Sequence, residues 1–91
     1  MREASVEILS DRTNAAVLRH PDRKFSGVLV QGDTLYTLCY RADAACREIG
    51  RSSPGFVEAN DLRNALHSLL SHYKAVLGEH DIPLPFSDLP I

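Results

Sequence analysis

Apolar and polar residues alternate from the start of the chain. In "SVEIL", residues 5–9, Val6 and Ile8 fall on one side and Ser5 and Glu7 on the other. That is the period-two pattern of a half-buried strand. "SDRTN" then breaks the pattern. Asp11 and Asn14 have side chains that bond to nearby backbone and favour a turn. "AAVLR", residues 15–19, predicts a second short strand. "HPDRK" predicts a second turn, with Pro21 at its first corner and Asp22 after it. "FSGVLVQ", residues 25–31, predicts a third strand. Consecutive strands joined by short turns form an antiparallel meander.

After Gln31 the period changes. Leu35, Leu38, Cys39, Ala42, Ala45, Cys46 and Ile49 recur at helical spacing. This predicts a helix over 33–50, with Asp33 as its cap and Gly50 as its stop. "RSSPGF" reads as a linker. A second helix is predicted over 60–78, capped by Asn60 and ended by Gly78. Leu62, Ala65, Leu66, Leu69, Leu70, Tyr73, Val76 and Leu77 mark its apolar stripe. In the tail, residues 79–91, Pro83, Pro85 and Pro90 exclude a regular helix. Ile82, Leu84, Phe86, Leu89 and Ile91 are apolar enough for the tail to pack on the body or on a partner. A small sheet needs cover on its apolar face, and two one-sided helices supply it. The expected fold is one α+β domain over 1–91. It is a small two-layer domain: a three-stranded antiparallel meander over 5–31, two amphipathic helices and an extended proline-rich tail.

Size and charge narrow the partners. Ninety-one residues hide only about two-thirds of the surface an unfolded chain exposes, so pairing with a second copy or a partner would add stability. The net charge of −2 gives no global attraction to nucleic acid or to an anionic membrane. No apolar run approaches the ~18 residues of a membrane span. The first twelve residues carry no apolar signal-peptide core, and the expected location is the cytoplasm.

Candidate chemistry is sparse. Cys39 and Cys46 are seven residues apart. On one helix their Cα atoms lie ~10 Å apart, beyond the ~7 Å limit for a disulfide. They match no zinc spacing and read as small buried hydrophobes. His67 and His72 point about 140° apart on a helix, so they cannot grip one metal; His67 reads as solvated and His72 as a rim residue. No nucleophile stands beside an oriented base. No metal, cofactor or catalytic set is expected, and an enzyme is the less favoured reading.

Two binding readings remain. Tyr36, Tyr40, Asp43 and Arg47 line one flank of the first helix, and with Phe86 of the tail they form a candidate protein interface. On a purely structural reading, the two tyrosines cover the sheet edge and Asp43 pairs with Arg47 on the surface. The alternative is an anion or small-ligand site at the strand-to-helix junction Gln31–Thr34. There Gly32 and Thr34 would sit at a helix start, with Arg19, Arg23 and Lys24 supplying charge. No three-glycine dinucleotide fingerprint and no Gly-Lys-Ser/Thr phosphate loop is present. The leading expectation is a non-enzymatic interaction module, pairing with a protein partner or with itself as a homodimer.

"EILSDRTNAAVLRHPDRKFSGVLVQGDTLYTL" resembles the shared stretch of a family of short bacterial proteins grouped as a domain of unknown function. The likeness is carried by "SDRTNA" and "GVLVQGDTL" over the first half of the chain. The family pattern favours proline where this chain has Arg12 and Ser26. The resemblance implies a bacterial origin and carries no activity, cofactor or catalytic residue.

Overall fold

The computed structural model describes residues 2–13 and 15–87. Asn14 of the first turn, and Leu89, Pro90 and Ile91 of the tail, lie outside the described residues. The chain divides into two compact units, Met1–Gln31 and Gly32–Ile91, and each is described by itself. Their order is that of an α+β protein, a three-stranded antiparallel sheet followed by two helices.

The first unit is the sheet. Its strands are β1 (Glu7–Ser10), β2 (Ala16–Arg19) and β3 (Gly27–Leu29), in the spatial order β1-β2-β3. Both pairings are antiparallel. Ile8 faces Leu18 and Val17 faces Val28. The register slips between Ile8 and Ser10, leaving Leu9 as the extra residue of a bulge. β3 is shorter than the strand predicted over 25–31, and its ladder with β2 runs only from Leu18–Gly27 to Ala16–Leu29. The β2–β3 turn forms as its composition predicts: the Arg23 amide donates to the His20 carbonyl at 3.1 Å. The Asp22 amide donates to His20 Nδ1 at 3.0 Å. The middle strand is half-buried over Ala16–Leu18, and the two edge strands are mostly exposed.

The second unit is a helical hairpin of α1 (Gly32–Ile49) and α2 (Phe56–Glu79). On α1 the buried residues are Gly32, Cys39, Asp43 and Cys46. Their spacings of seven, four and three residues set them on one face. Leu70 is the buried centre of α2. Contacts at both ends and in the middle show the two helices running antiparallel: Gly32 meets Tyr73, Asp43 meets Arg63, and Cys46 shares a cavity with Phe56.

The helix ends differ from the sequence expectation. α1 begins at Gly32, so Asp33 lies in the first turn rather than capping it. Its Oδ1 accepts from the neighbouring Thr34 amide at 2.9 Å. α2 begins four residues before Asn60. Gly55 takes the cap position with a left-handed φ of 87°, a conformation glycine adopts without steric cost. Gly78 does not stop α2, which continues through Glu79 with His80 as its C-cap. Beyond it, Asp81 takes a positive φ of 55°. The Asp81 amide donates to the Gly78 carbonyl at 3.3 Å and the Ile82 amide to the Leu77 carbonyl at 2.9 Å. These two bonds make a Schellman end, with aspartate where glycine is usual. The chain turns there, and Phe86 stacks on Tyr36 of α1 with ring centroids 4.5 Å apart.

No helix among the described residues is long and apolar enough to cross a membrane.

Candidate functional site

The polar chemistry of the hairpin gathers at Asp43. Asp43 lies four residues after Cys39 and three before Cys46, so the helical period carries it to the packed face. It is only 6% exposed. A buried carboxylate needs partners, and α2 supplies two. Arg63 Nε donates to Asp43 Oδ1 at 2.6 Å. His67 Nε2 lies 3.1 Å from Oδ1 and 3.2 Å from Oδ2, so the ring donates through Nε2. Arg63 and His67 are one turn apart on α2 and reach the same carboxylate. Arg63 also donates through Nη1 to Asn60 Oδ1 at 3.0 Å.

Burial pushes the Asp43 carboxyl upward. The hydrogen bonds from Arg63 and His67, and the positive charge they bring, outweigh it, and the net displacement is below the ordinary 3.8. Cys39 is fully buried. Burial first, and then the Asp43 charge, push its thiol above the ordinary 9.0. A protonated thiol shut away from solvent is a poor nucleophile. Both cysteines are free and buried.

Beside this network, at the loop end of the hairpin, lies a cavity of about 350 Å³ lined by Asp43, Arg47, Arg51, Phe56, Asn60 and Arg63, among others. Among the described residues, no group of three or more His, Cys, Asp or Glu side chains could hold a metal ion.

The candidate interface flank is divided by the fold. Tyr36 is half-buried and stacked on Phe86. Asp43 points inward and pairs with Arg63 and His67, not with Arg47 on the surface. Tyr40 and Arg47 are exposed. Tyr40 edges a shallow recess with Thr37, Arg41 and Ala44. His67 is half-buried rather than solvated, because Asp43 holds it. His72 is exposed rather than at a packed rim.

The residues of the junction reading fall in different units. In the sheet unit, Arg19 pairs with Glu7 at 3.4 Å. Lys24 lies over the Phe25 ring at 5.4 Å, and Arg23 is exposed. In the helical unit Thr34 is exposed, while Gly32 is buried and a Cβ there would overlap the Tyr73 ring. The glycine at the helix start is accounted for by that ring.

Arg51, Asn60, Arg63 and His67 were not singled out as binding residues by sequence. One signal was available: Asp43 falls between two buried cysteines on the helical period, which asks for a cationic partner. Which cation answers depends on how α1 and α2 are aligned, and no local pattern contains that.

A small α+β protein with a helical hairpin and, among the described residues, one buried and doubly satisfied carboxylate is the class these features define. The chain belongs to a family of unknown function, DUF6959, whose model matches residues 1–86. The match extends well beyond the half of the chain in which the resemblance was legible. No curated protein and no solved structure matches the chain.

Proposed function

We propose that the protein is a non-enzymatic interaction module that pairs with a second copy of itself through the apolar side of the helical hairpin. One observation carries this reading. Leu38 is 40% exposed, Leu62 60% and Leu69 59%. Leu62 and Leu69 are seven residues apart and share a face of α2. Leu38 lies about 140° round α1 from Asp43, and Leu62 about 140° round α2 from His67. The leucines therefore stand away from the side that carries the Asp43 network. Large exposed apolar groups gathered on one face mark an association surface. Two such hairpins packed face to face form a four-helix arrangement with two-fold symmetry, in which each copy presents the same patch.

The set of residues differs from the flank read in the sequence. Tyr36 and Phe86 satisfy each other and Asp43 is turned inward, so the weight passes to the opposite side. The net charge of −2 favours a protein partner over nucleic acid. Light scattering across a series of about 1–200 μM, which brackets micromolar affinities, should show the mass rising from one chain to two. Leu62→Glu with Leu69→Glu should hold the protein monomeric while leaving its helical circular dichroism unchanged. A wild-type chain that stays monomeric throughout the series sinks the proposal.

A further inference from the structure

The cavity at the loop end of the hairpin has a charge pattern that folding does not require. Three guanidinium groups line it, from Arg47, Arg51 and Arg63, against one carboxylate, Asp43. Only Arg63 is paired with that carboxylate. Arg47 and Arg51 have no ion pair among the described residues; Arg47 lies in the last turn of α1 and Arg51 in the loop just beyond Gly50. The carbonyls ending α1 favour one cation in its last turn, which accounts for Arg47 and leaves Arg51 unexplained. Asn60 adds donors: its Oδ1 is taken by Arg63 Nη1, so its amide NH₂ is free for another acceptor. Phe56, half-buried at the start of α2, supplies an apolar wall.

The volume indicates the size of the occupant. About 350 Å³ is the low end of the range for small-molecule sites. It is roughly ten times the ~30 Å³ share of one water, more than a bare phosphate group needs. Arginine forks match the oxygen geometry of phosphate and bind it through paired N–H donors. We infer that this cavity binds a small phosphate monoester. Arg47, Arg51 and the Asn60 amide hold the phosphate, and the organic body lies against Phe56. Arg63, fixed by Asp43, adds charge from the cavity wall. The site is separate from the leucine face proposed for self-association, and neither reading depends on the other.

The test titrates the full chain with adenosine monophosphate, glucose 6-phosphate, inorganic phosphate, succinate and uncharged adenosine, read by thermal shift and by calorimetry. At least one of the two monoesters should raise the melting temperature and bind at least tenfold tighter than inorganic phosphate or succinate. Adenosine should do nothing. The variant carrying Arg47→Gln and Arg51→Gln alters two exposed side chains. It should keep the helical circular dichroism of wild type, keep the same concentration-dependent mass, and lose at least tenfold in monoester affinity. The proposal is overturned if neither monoester binds at millimolar concentration. It is also overturned if inorganic phosphate or succinate binds as tightly as the esters, or if the double variant binds as wild type does. As a second readout, the Arg Nε–H resonances of Arg47 and Arg51 should shift when the monoester is added; shifts confined to other arginines would also overturn it.

Discussion

At the scale of single residues, two positions carry more than their size suggests. Gly32 is buried beneath the Tyr73 ring, and a methyl group there would overlap it. Gly32→Ala should therefore destabilise the protein by about 1–3 kcal/mol, the usual cost of overpacking, read from the urea midpoint. Adding Tyr73→Leu should recover part of the loss, since the two side chains compete for one space. Asp43 is the other position. Its carboxyl sits below the ordinary 3.8 because the bonds from Arg63 and His67 outweigh burial. A depressed carboxyl pKa adds stability that is fully present above the unfolded value. That stability is lost as pH falls through the lower folded value. Asp43→Asn should cost about 1–3 kcal/mol at neutral pH, because it takes the charged acceptor from two half-buried donors, Arg63 and His67. The gap between variant and wild type should close as pH is lowered below the ordinary 3.8, since the protonated carboxyl of wild type then resembles the amide. A gap that stays constant over that window would place the stabilising charge elsewhere.

At the scale of elements, helix existence was legible and helix ends were not. The apolar period located both helices, and the turn residues located the three strands. The ends moved because several residues could stop a helix and backbone geometry chose among them. Gly78 looks like a stop, yet the chain reverses at Asp81, where the Schellman bonds from Asp81 and Ile82 close. An aspartate with φ 55° bears the steric cost of the left-handed region, about 1–2 kcal/mol for an ordinary residue and less for aspartate. It also sets a negative charge at the unfavourable end of a helix. Asp81→Gly should therefore stabilise the protein by about 0.5–1 kcal/mol, seen as a higher melting temperature. A fall would mean that the Asp81 side chain makes a stabilising contact. Asn60 shows the same limit from the other side. It has the composition of a cap, but lies a turn inside α2 and spends its oxygen on Arg63.

At the scale of the whole molecule, what each helix leaves exposed matters as much as what it buries. The stripe on α2 is broader than α1 can cover, so Leu62 and Leu69 remain open. If two copies meet there, the melting temperature should rise with protein concentration, because association binds only the folded form. In the Leu62→Glu, Leu69→Glu variant that dependence should vanish. The stripe was plain in the sequence, but its split into a packed half and an open half was not. Periodicity states which residues share a face and is silent about the width of the neighbour.

The sequence by itself determined the α+β order, the antiparallel meander, the two amphipathic helices and the burial of both thiols. Each follows from interactions between residues close along the chain, where the periods of two and of about 3.6 express which side avoids water. Only the tertiary structure decided that Asp43 faces Arg63 and His67, that Tyr73 lies over Gly32, that Phe86 returns to Tyr36, and that three arginines share one cavity. The side-chain pairings join residues 20 or more positions apart, and the arginines come from α1, the loop after it and α2. They are set by how the hairpin aligns and where its loop closes, a geometric outcome that no local pattern of side chains encodes.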